Sequence, residues 1–327
     1  MPPHTHPDPA LIVLAGPTAS GKTALALALA AGFPAEIVSC DSVAIYRGLD
    51  IGSAKPTAAE RALVPHHLLD VLTLDQPATA GHYARLAREA IAGVSQRGKL
   101  PIVSGGTGLY LRALLDGLSP APQRNDSLRT RLRVRAEKSP AHLHRVLTRL
   151  DPAAASSIHA NDTPKLIRAI EVTLANRSPI TAQWQLHGRD PLTGYRILRL
   201  GLNPPRAALY DRINRRAAAM FDRGLEEETS LLVEQYGYDA RPLASLGYAQ
   251  AIQVLRRELT REQAVELCAQ GHRNYAKRQL TWFRRDPHIH WLPGFGSDPE
   301  TQQSALSLVR AHLVPGNFAQ DRPVTPA

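Results

Sequence analysis

The sequence has very little cysteine: Cys40 and Cys268 are the two thiols among 327 residues. Two cysteines cannot form the disulfide framework typical of small secreted domains, so we expect a protein of the reducing cytoplasm. Long apolar runs are also lacking, because no stretch approaches the roughly 18 apolar residues that would cross a bilayer. We therefore expect no membrane partner. The terminal segments 1–9 and 314–327 lack apolar periodicity, and we expect both to be disordered tails.

Acidic residues are in deficit, with 29 Asp and Glu against 39 Lys and Arg, which gives a net charge of +10. This excess fits a polyanionic partner such as a nucleic acid, although a basic enzyme without such a partner fits the composition equally well. The 13 histidines show no metal-ligand spacing with cysteines or acids. Composition therefore suggests a partner class without identifying it.

Strand and helix patterns alternate in the first third of the chain. The short apolar runs "LIVLAG", "AEIVSC" and "LPIVSG" predict buried parallel strands, and the segments 21–31 and 80–97 have helical spacing. Such alternation is typical of a doubly wound α/β sheet, in which ligands bind at the carboxyl ends of the strands. Residues 16–23, 41–42 and 105–107 all follow these strand ends.

A phosphate-binding pattern, "GPTASGKT", follows the first predicted strand and opens a helix. In this context glycines let backbone N–H groups point at phosphate oxygens, Lys22 supplies a full positive charge, and the Thr23 hydroxyl can hold Mg²⁺. The pattern predicts a diphosphate site, and a kinase or ATPase that binds a nucleotide is one candidate. Such an enzyme also needs an acid after a strand to orient Mg²⁺. The third strand offers none, which leaves Asp41 and Asp70 of "HLLD" as candidates, and "HLLD" could equally be a surface loop.

Asp41 ends the second strand, next to the predicted phosphate loop. A carboxylate facing phosphates is repelled unless a cation lies between them, so its presence calls for a role. It could act as a general base that takes a proton from an incoming nucleophile. The alternatives are a helix N-cap and a residue that orients Mg²⁺.

The middle of the chain, about 125–185, is rich in arginine and entirely helical in pattern, while strand character returns at "YRILRLGLN". Long helices are predicted near 205–236, 247–259 and 261–285, followed by a short strand at "IHWLP". We therefore predict a core domain of residues 10–122 and 193–313 with a helical insertion domain at 123–192. Tyr248 and Trp282 are more typical of core aromatics than of base-stacking platforms.

An ordered set of motifs resembles the tRNA dimethylallyltransferase family. The matching stretches are "GPTASGKT", "DSVAIYRGLDIGSAKP", "PHHLLD", "VSGGTGLYLRALLDGL", "IHANDTPKLIRAIEV", "RINRRAAAMFDRGLEEE", "LGYAQ" and "AKRQLTWFRR". They cover nearly the whole chain between residues 11 and 293. Two positions depart from the family pattern, Ala44 and the Ala249–Gln250 pair, and each affects an individual tRNA contact.

The resemblance implies a P-loop NTPase-like parallel sheet flanked by helices, with a helical insertion. It implies transfer of the isopentenyl group of dimethylallyl diphosphate to N6 of the adenosine 3′ of the anticodon, with Mg²⁺ as cofactor. The partners would be dimethylallyl diphosphate and the anticodon stem–loop of tRNA, and a monomer suffices. The implied catalytic residues are Asp41 as base, Thr107, and Arg216 in preference to Arg212.

The resemblance also assigns the binding residues. The diphosphate would be bound by Gly16, Pro17, Thr18, Ala19, Ser20, Gly21, Lys22 and Thr23, with the metal on Thr23. The tRNA would be bound by Asp41, Ser42, Val43, Ala44, Thr107, Arg129, Pro164, Lys165, Leu166, Ile167, Arg168, Lys277, Arg278 and Gln279. The rival hypotheses are a P-loop small-molecule kinase or ATPase, and an RNA-binding protein with an inert phosphate loop.

Overall fold

A computed structural model of the chain describes residues 8–119, 122, 124–139, 141–182 and 190–314. Nearly all of the two predicted tails lies outside these residues. The chain divides into two compact units, one of Met1–Leu115 with Leu192–Ala327 and the other of Asp116–Pro191. The sequence placed the start of the insertion later, at residue 123.

A six-stranded parallel sheet forms the first unit, with strand order β3-β2-β4-β1-β5-β6. The strands are β1 (Ala10–Ala15), β2 (Ala35–Cys40), β3 (His66–His67), β4 (Leu100–Gly105), β5 (Arg196–Leu202) and β6 (Ile289–Leu292). Every side chain of β1 and β2 is buried, as expected for parallel strands covered on both faces. The predicted α/β parallel sheet flanked by helices is confirmed.

Helices cover both faces of this sheet. The helices of the first unit are α1 (Lys22–Gly32), α2 (Ala58–Leu63), α3 (Ala80–Gln96), α4 (Gly108–Leu115), α9 (Arg206–Asp222), α10 (Leu225–Tyr236), α11 (Tyr248–Leu255), α12 (Arg261–Phe283) and α13 (Pro299–Leu313). Alternate residues of β1 face opposite sides, so Leu11 and Val13 pack with α3, α4 and α9, while Ile12 and Leu14 pack with α1 and α13.

The prediction of one long helix at 205–236 is wrong, because the helical path is interrupted between α9 and α10. Gly224 has φ +92° there, a left-handed conformation that glycine adopts without steric cost and that ends the helical path. The sequence did not predict α2, α4 or α13. The "HLLD" segment is not a strand either, since β3 stops at His67, and Leu68 and Asp70 have positive φ.

The described part of the second unit contains α5 (Asp126–Lys138), α6 (Ala141–Leu150), α7 (Pro152–Ser157) and α8 (Thr163–Asn176). These helices bury their own apolar cluster, which includes Leu143, Leu147, Leu166 and Ile170. Capping side chains define several of the helix starts, since Asn125, Asp151 and Asp162 accept N–H groups of the first turns of α5, α7 and α8. No helix in the described part of the chain is long and apolar enough to cross a membrane.

A buried carboxylate, Glu36, anchors the amino-terminal edge of the sheet. Its oxygens accept hydrogen bonds from Arg97 Nη2 at 2.6 Å and Lys99 Nζ at 3.0 Å, and Oε2 lies 2.6 Å from His67 Nε2. The hydrogen bond from Arg97 is the main reason that the pKa of Glu36 falls from its ordinary 4.5 to about 2. A carboxyl with a lowered pKa stabilises the fold above its unfolded pKa and loses that contribution as pH falls towards 2.

Replacing Glu36 with glutamine is expected to lower the free energy of unfolding by about 3 kcal/mol at pH 7, with the gap from wild type closing as pH falls from 4.5 towards 2. Urea unfolding at several pH values measures this gap. Glu89→Gln is the matched control, because Glu89 is exposed and pairs with exposed Arg85. A gap that is equally large at pH 7 and pH 3 would contradict the ionic origin of the stabilisation.

Candidate active site

The phosphate loop, residues 16–23, connects β1 to α1. Gly21 precedes α1 with φ +89°, and a Cβ there would come within 2.9 Å of Gly296 N, so both the turn and the neighbouring segment require glycine. Gly296 N–H donates to Ser20 O at 2.9 Å and supports the loop from outside. The first-turn N–H groups of α1 have no side-chain cap and face this loop, as in other anion sites at helix N-termini.

Lys22 folds back over the loop. Its Nζ donates to Gly16 O at 3.0 Å and Pro17 O at 2.8 Å, which leaves one of three N–H groups for a ligand. Burial, and after it the positive charge of Arg216, lower the pKa of Lys22 to about 8, although the carboxylate of Asp41 acts in the opposite direction. These mutual effects mean that Lys22, Arg216 and Asp41 share one region at the carboxyl edge of the sheet.

Asp41 lies directly after β2 and closes a tight turn. Its Oδ1 accepts the N–H groups of Val43 at 2.8 Å and Ala44 at 3.1 Å, and no described residue hydrogen-bonds Oδ2. No helix begins at this turn, so the helix N-cap alternative is wrong. The Ser42 N–H donates to Thr107 Oγ1 at 3.2 Å and joins the ends of β2 and β4.

Because β4 lies between β1 and β2, Thr107 lies between the phosphate loop and Asp41 in the row of strand ends. Ala44, one of the two departures from the family pattern, is buried and contributes its N–H to Asp41. At the other departure, Gln250 Oε1 accepts the Gly247 N–H at the start of α11. The Gln250 side chain therefore has a local structural role, whereas at position 44 the bond comes from the backbone.

Arg216 projects from α9 and is shielded from solvent at Nε, which has no hydrogen-bond partner. Its Nη2 donates to Ser53 O at 3.4 Å, and the residue lies beside Thr18, Ala19 and His272. Burial lowers the pKa of Arg216, while Asp41 raises it. Arg212 differs, because its guanidinium stacks over Phe295 at 4.8 Å and bonds Ser297. Of the two arginines, Arg216 is the one beside the loop.

Three residues that the sequence did not single out for this purpose fix the segment behind Asp41. Glu228 accepts the N–H groups of Asp50 and Ile51, and Tyr248 Oη donates to Glu228 at 2.5 Å while accepting the Gly52 N–H at 3.1 Å. Tyr248 is fully buried, which confirms its expected place in the core. Because Glu228 and Tyr248 are nearly 200 residues from the segment 50–52 that they bond, no local signal pointed to them.

The buried side chain of Lys55 holds the same segment from within, because its Nζ bonds Tyr46 O and the carboxylates of Asp50 and Asp70.

Asp70, the other candidate for orienting Mg²⁺, is occupied elsewhere. Its carboxylate pairs with Lys55 at 2.6 Å and Arg61 at 2.7 Å. The described residues contain no group of three or more His, Cys, Asp or Glu side chains that could hold a metal. Thr23 is partly buried in the first turn of α1, so the loop itself offers a hydroxyl to a cation. Further ligands would have to be phosphate oxygens and water, which Mg²⁺ commonly uses.

The outer face of α12 is basic. Lys277, Arg278 and Arg285 are exposed and line an open groove of about 390 Å³ with Trp282, whose side chain is 38 % exposed. Trp282 is therefore not a core residue, contrary to expectation, although its ring packs against Gly108. Gln279 points the other way: it is buried and bonds Thr18 N–H and Gly106 O. Its expected contact with RNA does not fit this placement.

In the second unit, Arg129 and Arg168 both bond buried Glu171, at 2.7 and 2.6 Å. Despite burial, these bonds and the Asn125 N–H lower the pKa of Glu171 to about 2. Lys165 is exposed and pairs with Asp162, and Pro164 lies in the first turn of α8. Leu166 and Ile167 are core residues of this unit, so their side chains are not available to RNA, contrary to expectation. The segment matched a family motif, but helical spacing turns these two inward.

Comparison with known proteins supports the resemblance. A family model described as IPP transferase matches residues 44–286. A tRNA dimethylallyltransferase of Koribacter versatilis is 62% identical over 304 residues, 93% of this chain and 99% of that protein. One of Solibacter usitatus is 48% identical over the same shares of both chains.

A solved structure agrees with these sequence matches. The crystal structure of the full-length tRNA isopentenylpyrophosphate transferase of Bacillus halodurans matches with a TM-score of 0.68 and 33% identity, over 93% of this chain and 96% of that one. Its P-loop NTPase-like fold agrees with the parallel sheet described above. The chain therefore belongs to the IPP transferase family of tRNA-modifying transferases.

Proposed function

We propose that the chain transfers the dimethylallyl group of dimethylallyl diphosphate to N6 of the adenosine 3′-adjacent to the anticodon, position 37 of tRNA, and releases diphosphate. The observation that carries this proposal is that Lys22, after β1, and Asp41, after β2, lie at the same carboxyl edge of the sheet, with Arg216 beside Thr18 and Ala19 of the phosphate loop. The phosphate loop with Lys22 and Arg216 is positively charged and suits an anionic leaving group. The carboxylate of Asp41 beside it suits a nucleophile that must release a proton. Relatives named for this reaction support the assignment.

The phosphate loop, Lys22 and Arg216 act on the leaving group. As the allylic C–O bond breaks, its electron pair and negative charge move onto the diphosphate oxygen. The loop N–H groups, the remaining N–H of Lys22 and the guanidinium of Arg216 are donors that stabilise that charge. Mg²⁺, with Thr23 as its protein ligand, would add positive charge to the same oxygens when bound.

Asp41 acts on the acceptor. The lone pair of an exocyclic adenine amine is delocalised into the ring, so the amine is a weak nucleophile until a base takes its proton. Oδ1 of Asp41 is fixed by two backbone N–H groups, and Oδ2 remains to accept the proton as the new C–N bond forms. Thr107, between the two sites, orients the reacting groups. The adenosine reaches them by leaving its stack, which an unpaired anticodon loop makes inexpensive.

Of the acids that the rival kinase or ATPase function could use at a strand end, Asp41 alone remains available. β4, the strand next to β1, ends in Ser104–Gly105 without an acid, and Asp70 is bonded to Lys55 and Arg61. The basic excess and the groove on α12 instead favour a large polyanion. Because one chain supplies every group named above, we propose a monomer acting in the cytoplasm.

The test is incubation with dimethylallyl diphosphate, Mg²⁺ and an unmodified tRNA that carries adenosine 3′ of the anticodon. Nuclease digestion and mass spectrometry are expected to place one isopentenyl unit on that adenosine. Turnover of ATP without any mass gain on the tRNA would reject the proposal in favour of a nucleotide-hydrolysing enzyme. RNA binding that is insensitive to Lys22→Ala, without transfer, would instead indicate an RNA-binding protein with an inert loop.

Trp282→Ala is expected to weaken binding of an anticodon stem–loop by about 1–3 kcal/mol, because the exposed indole beside Lys277 and Arg278 offers a stacking surface for a base. Fluorescence anisotropy with labelled RNA measures the change. Leu231→Ala is the matched control, since Leu231 is an exposed apolar residue on α10. If both variants bind RNA like wild type, Trp282 only covers Gly108.

A further inference from the structure

The side-chain amide of Gln279 joins two parts of the candidate active site. Its Oε1 accepts the Thr18 N–H of the phosphate loop at 2.7 Å, and its Nε2 donates to Gly106 O, after β4, at 2.9 Å. The side chain is 5 % exposed. One residue of α12 therefore bonds the backbone of the loop after β1 and the turn after β4.

The turn after β4 is shaped around this amide. A Cβ added to Gly106 would lie 2.1 Å from Gln279 Nε2 and 3.4 Å from Gly16 O, so only glycine leaves room for the bridge. Gly106 directly precedes Thr107, whose hydroxyl accepts the Ser42 N–H. The bridge thus fixes the separation between the phosphate loop and the residue that holds the Asp41 turn.

The neighbours of Gln279 on α12 face outward. Lys277 and Arg278 are exposed and line the basic groove, whereas Gln279 is turned into the protein. Helical geometry explains the difference, because adjacent residues are about 100° apart around the axis. The contacts of Gln279 are with the diphosphate side of the site and not with the basic surface.

We propose that Gln279 is a positioning residue for diphosphate, which rests on the function proposed above. Its amide keeps the phosphate loop at a fixed distance from Thr107. Without it the Thr18 N–H and the Gly106 carbonyl both lose their partner, and a buried polar group without a partner is costly enough to shift the backbone. A displaced loop directs its remaining N–H groups and Lys22 away from the phosphate oxygens.

The test uses Gln279→Met, which keeps the length of the side chain and removes both hydrogen bonds. We expect the Kd for inorganic pyrophosphate with Mg²⁺ to rise about tenfold and kcat to fall about a hundredfold, since small displacements of a site are that costly. The Kd for the anticodon stem–loop is expected to stay at the wild-type value. Calorimetry gives the first constant, a transfer assay the second and anisotropy the third.

Gly106→Ala is a second, independent variant, because the added Cβ displaces the same amide without changing Gln279. It is expected to show the same pattern as Gln279→Met: a higher Kd for pyrophosphate, a lower kcat and an unchanged Kd for the anticodon stem–loop. Thr229→Val controls for the loss of a buried hydrogen bond elsewhere, since Thr229 Oγ1 bonds Leu225 O at 2.6 Å within α10. Lys277→Ala should show the reverse pattern, with weaker RNA binding and unchanged pyrophosphate binding.

Wild-type pyrophosphate affinity in both Gln279→Met and Gly106→Ala overturns the inference, and so does a loss confined to RNA binding. A loss of pyrophosphate affinity equal to that of Thr229→Val also overturns it, since the effect is then one of general stability. A wild-type protein that binds pyrophosphate without modifying tRNA refutes the proposed reaction and leaves the role of Gln279 measurable. Failure of the role inferred for Gln279 can therefore be distinguished from failure of the proposed transfer reaction.

Discussion

Asp41→Asn is expected to lower kcat for transfer about 1,000-fold while the Kd for tRNA changes by less than about twofold, since a positioned general base contributes about 10²–10⁴-fold. Asparagine keeps an oxygen at Oδ1, so the N–H groups of Val43 and Ala44 retain their acceptor and the turn is preserved. The NH₂ group that replaces Oδ2 cannot accept a proton from the amine. The expected fall in kcat therefore reflects the loss of the proton acceptor and not a change in the fold of the turn.

Single-turnover transfer with saturating substrates measures this effect apart from binding and product release. Asp239→Asn is the control for the change in net charge, because Asp239 is exposed and belongs to the segment after α10. We expect it to behave like wild type. An Asp41→Asn rate within a few-fold of wild type would remove the carboxylate from the proton transfer and leave it only the role of closing the turn.

Arg216→Met is expected to reduce kcat/KM for dimethylallyl diphosphate by about 10²–10³-fold, the range for losing one donor aimed at developing negative charge. The Nε atom of Arg216 is shielded from water and has no hydrogen-bond partner among the described residues, so a ligand is its natural acceptor. Methionine fills much of the space of the arginine stem, and the hydrogen bond that the variant removes within the protein is the long one from Nη2 to Ser53 O, at 3.4 Å.

Arg212→Met is the matched control, four residues earlier on α9 and bonded to Ser297. We expect it to change kcat/KM only a few-fold. Removing Arg216 also removes the positive charge that lowers the pKa of Lys22, so the lysine should stay protonated to higher pH in the variant. Equal losses in both variants, or a larger loss for Arg212→Met, would contradict the assignment of Arg216.

The parts of the site that the sequence predicts are those with local signals. A strand, a glycine pattern and a helix within about twenty residues define the phosphate loop, and Asp41 directly follows a run of buried residues. Parallel strands bring such ends to one edge, which the structure bears out for the loop, Asp41 and Thr107. Arg216 came from the resemblance, since no local pattern distinguishes it from Arg212.

The remainder depended on partners far away in the chain. Gln279 and Thr18 are 261 residues apart, and the bond between them leaves no periodicity in either segment. The resemblance assigned Arg129 and Arg168 to tRNA binding, and nothing local shows that Glu171, inside a helical apolar pattern, is buried and bonded to both. The helix break at Gly224 was missed because an isolated glycine within a helical pattern can continue or end a helix, and tertiary packing decides between them.

One carboxylate, Glu36, lies near the start of β2 and another, Asp41, directly follows its end, and their surroundings differ. Glu36 is bonded to the cationic side chains of Arg97 and Lys99 and to the His67 ring, whereas Asp41 keeps an oxygen without a bond from any described residue. The carboxylate expected to stabilise the fold and the one proposed for catalysis therefore lie at opposite ends of one strand. Substitutions around Glu36 can therefore change the stability of the protein without altering the Asp41 turn, which separates stability from activity at this strand.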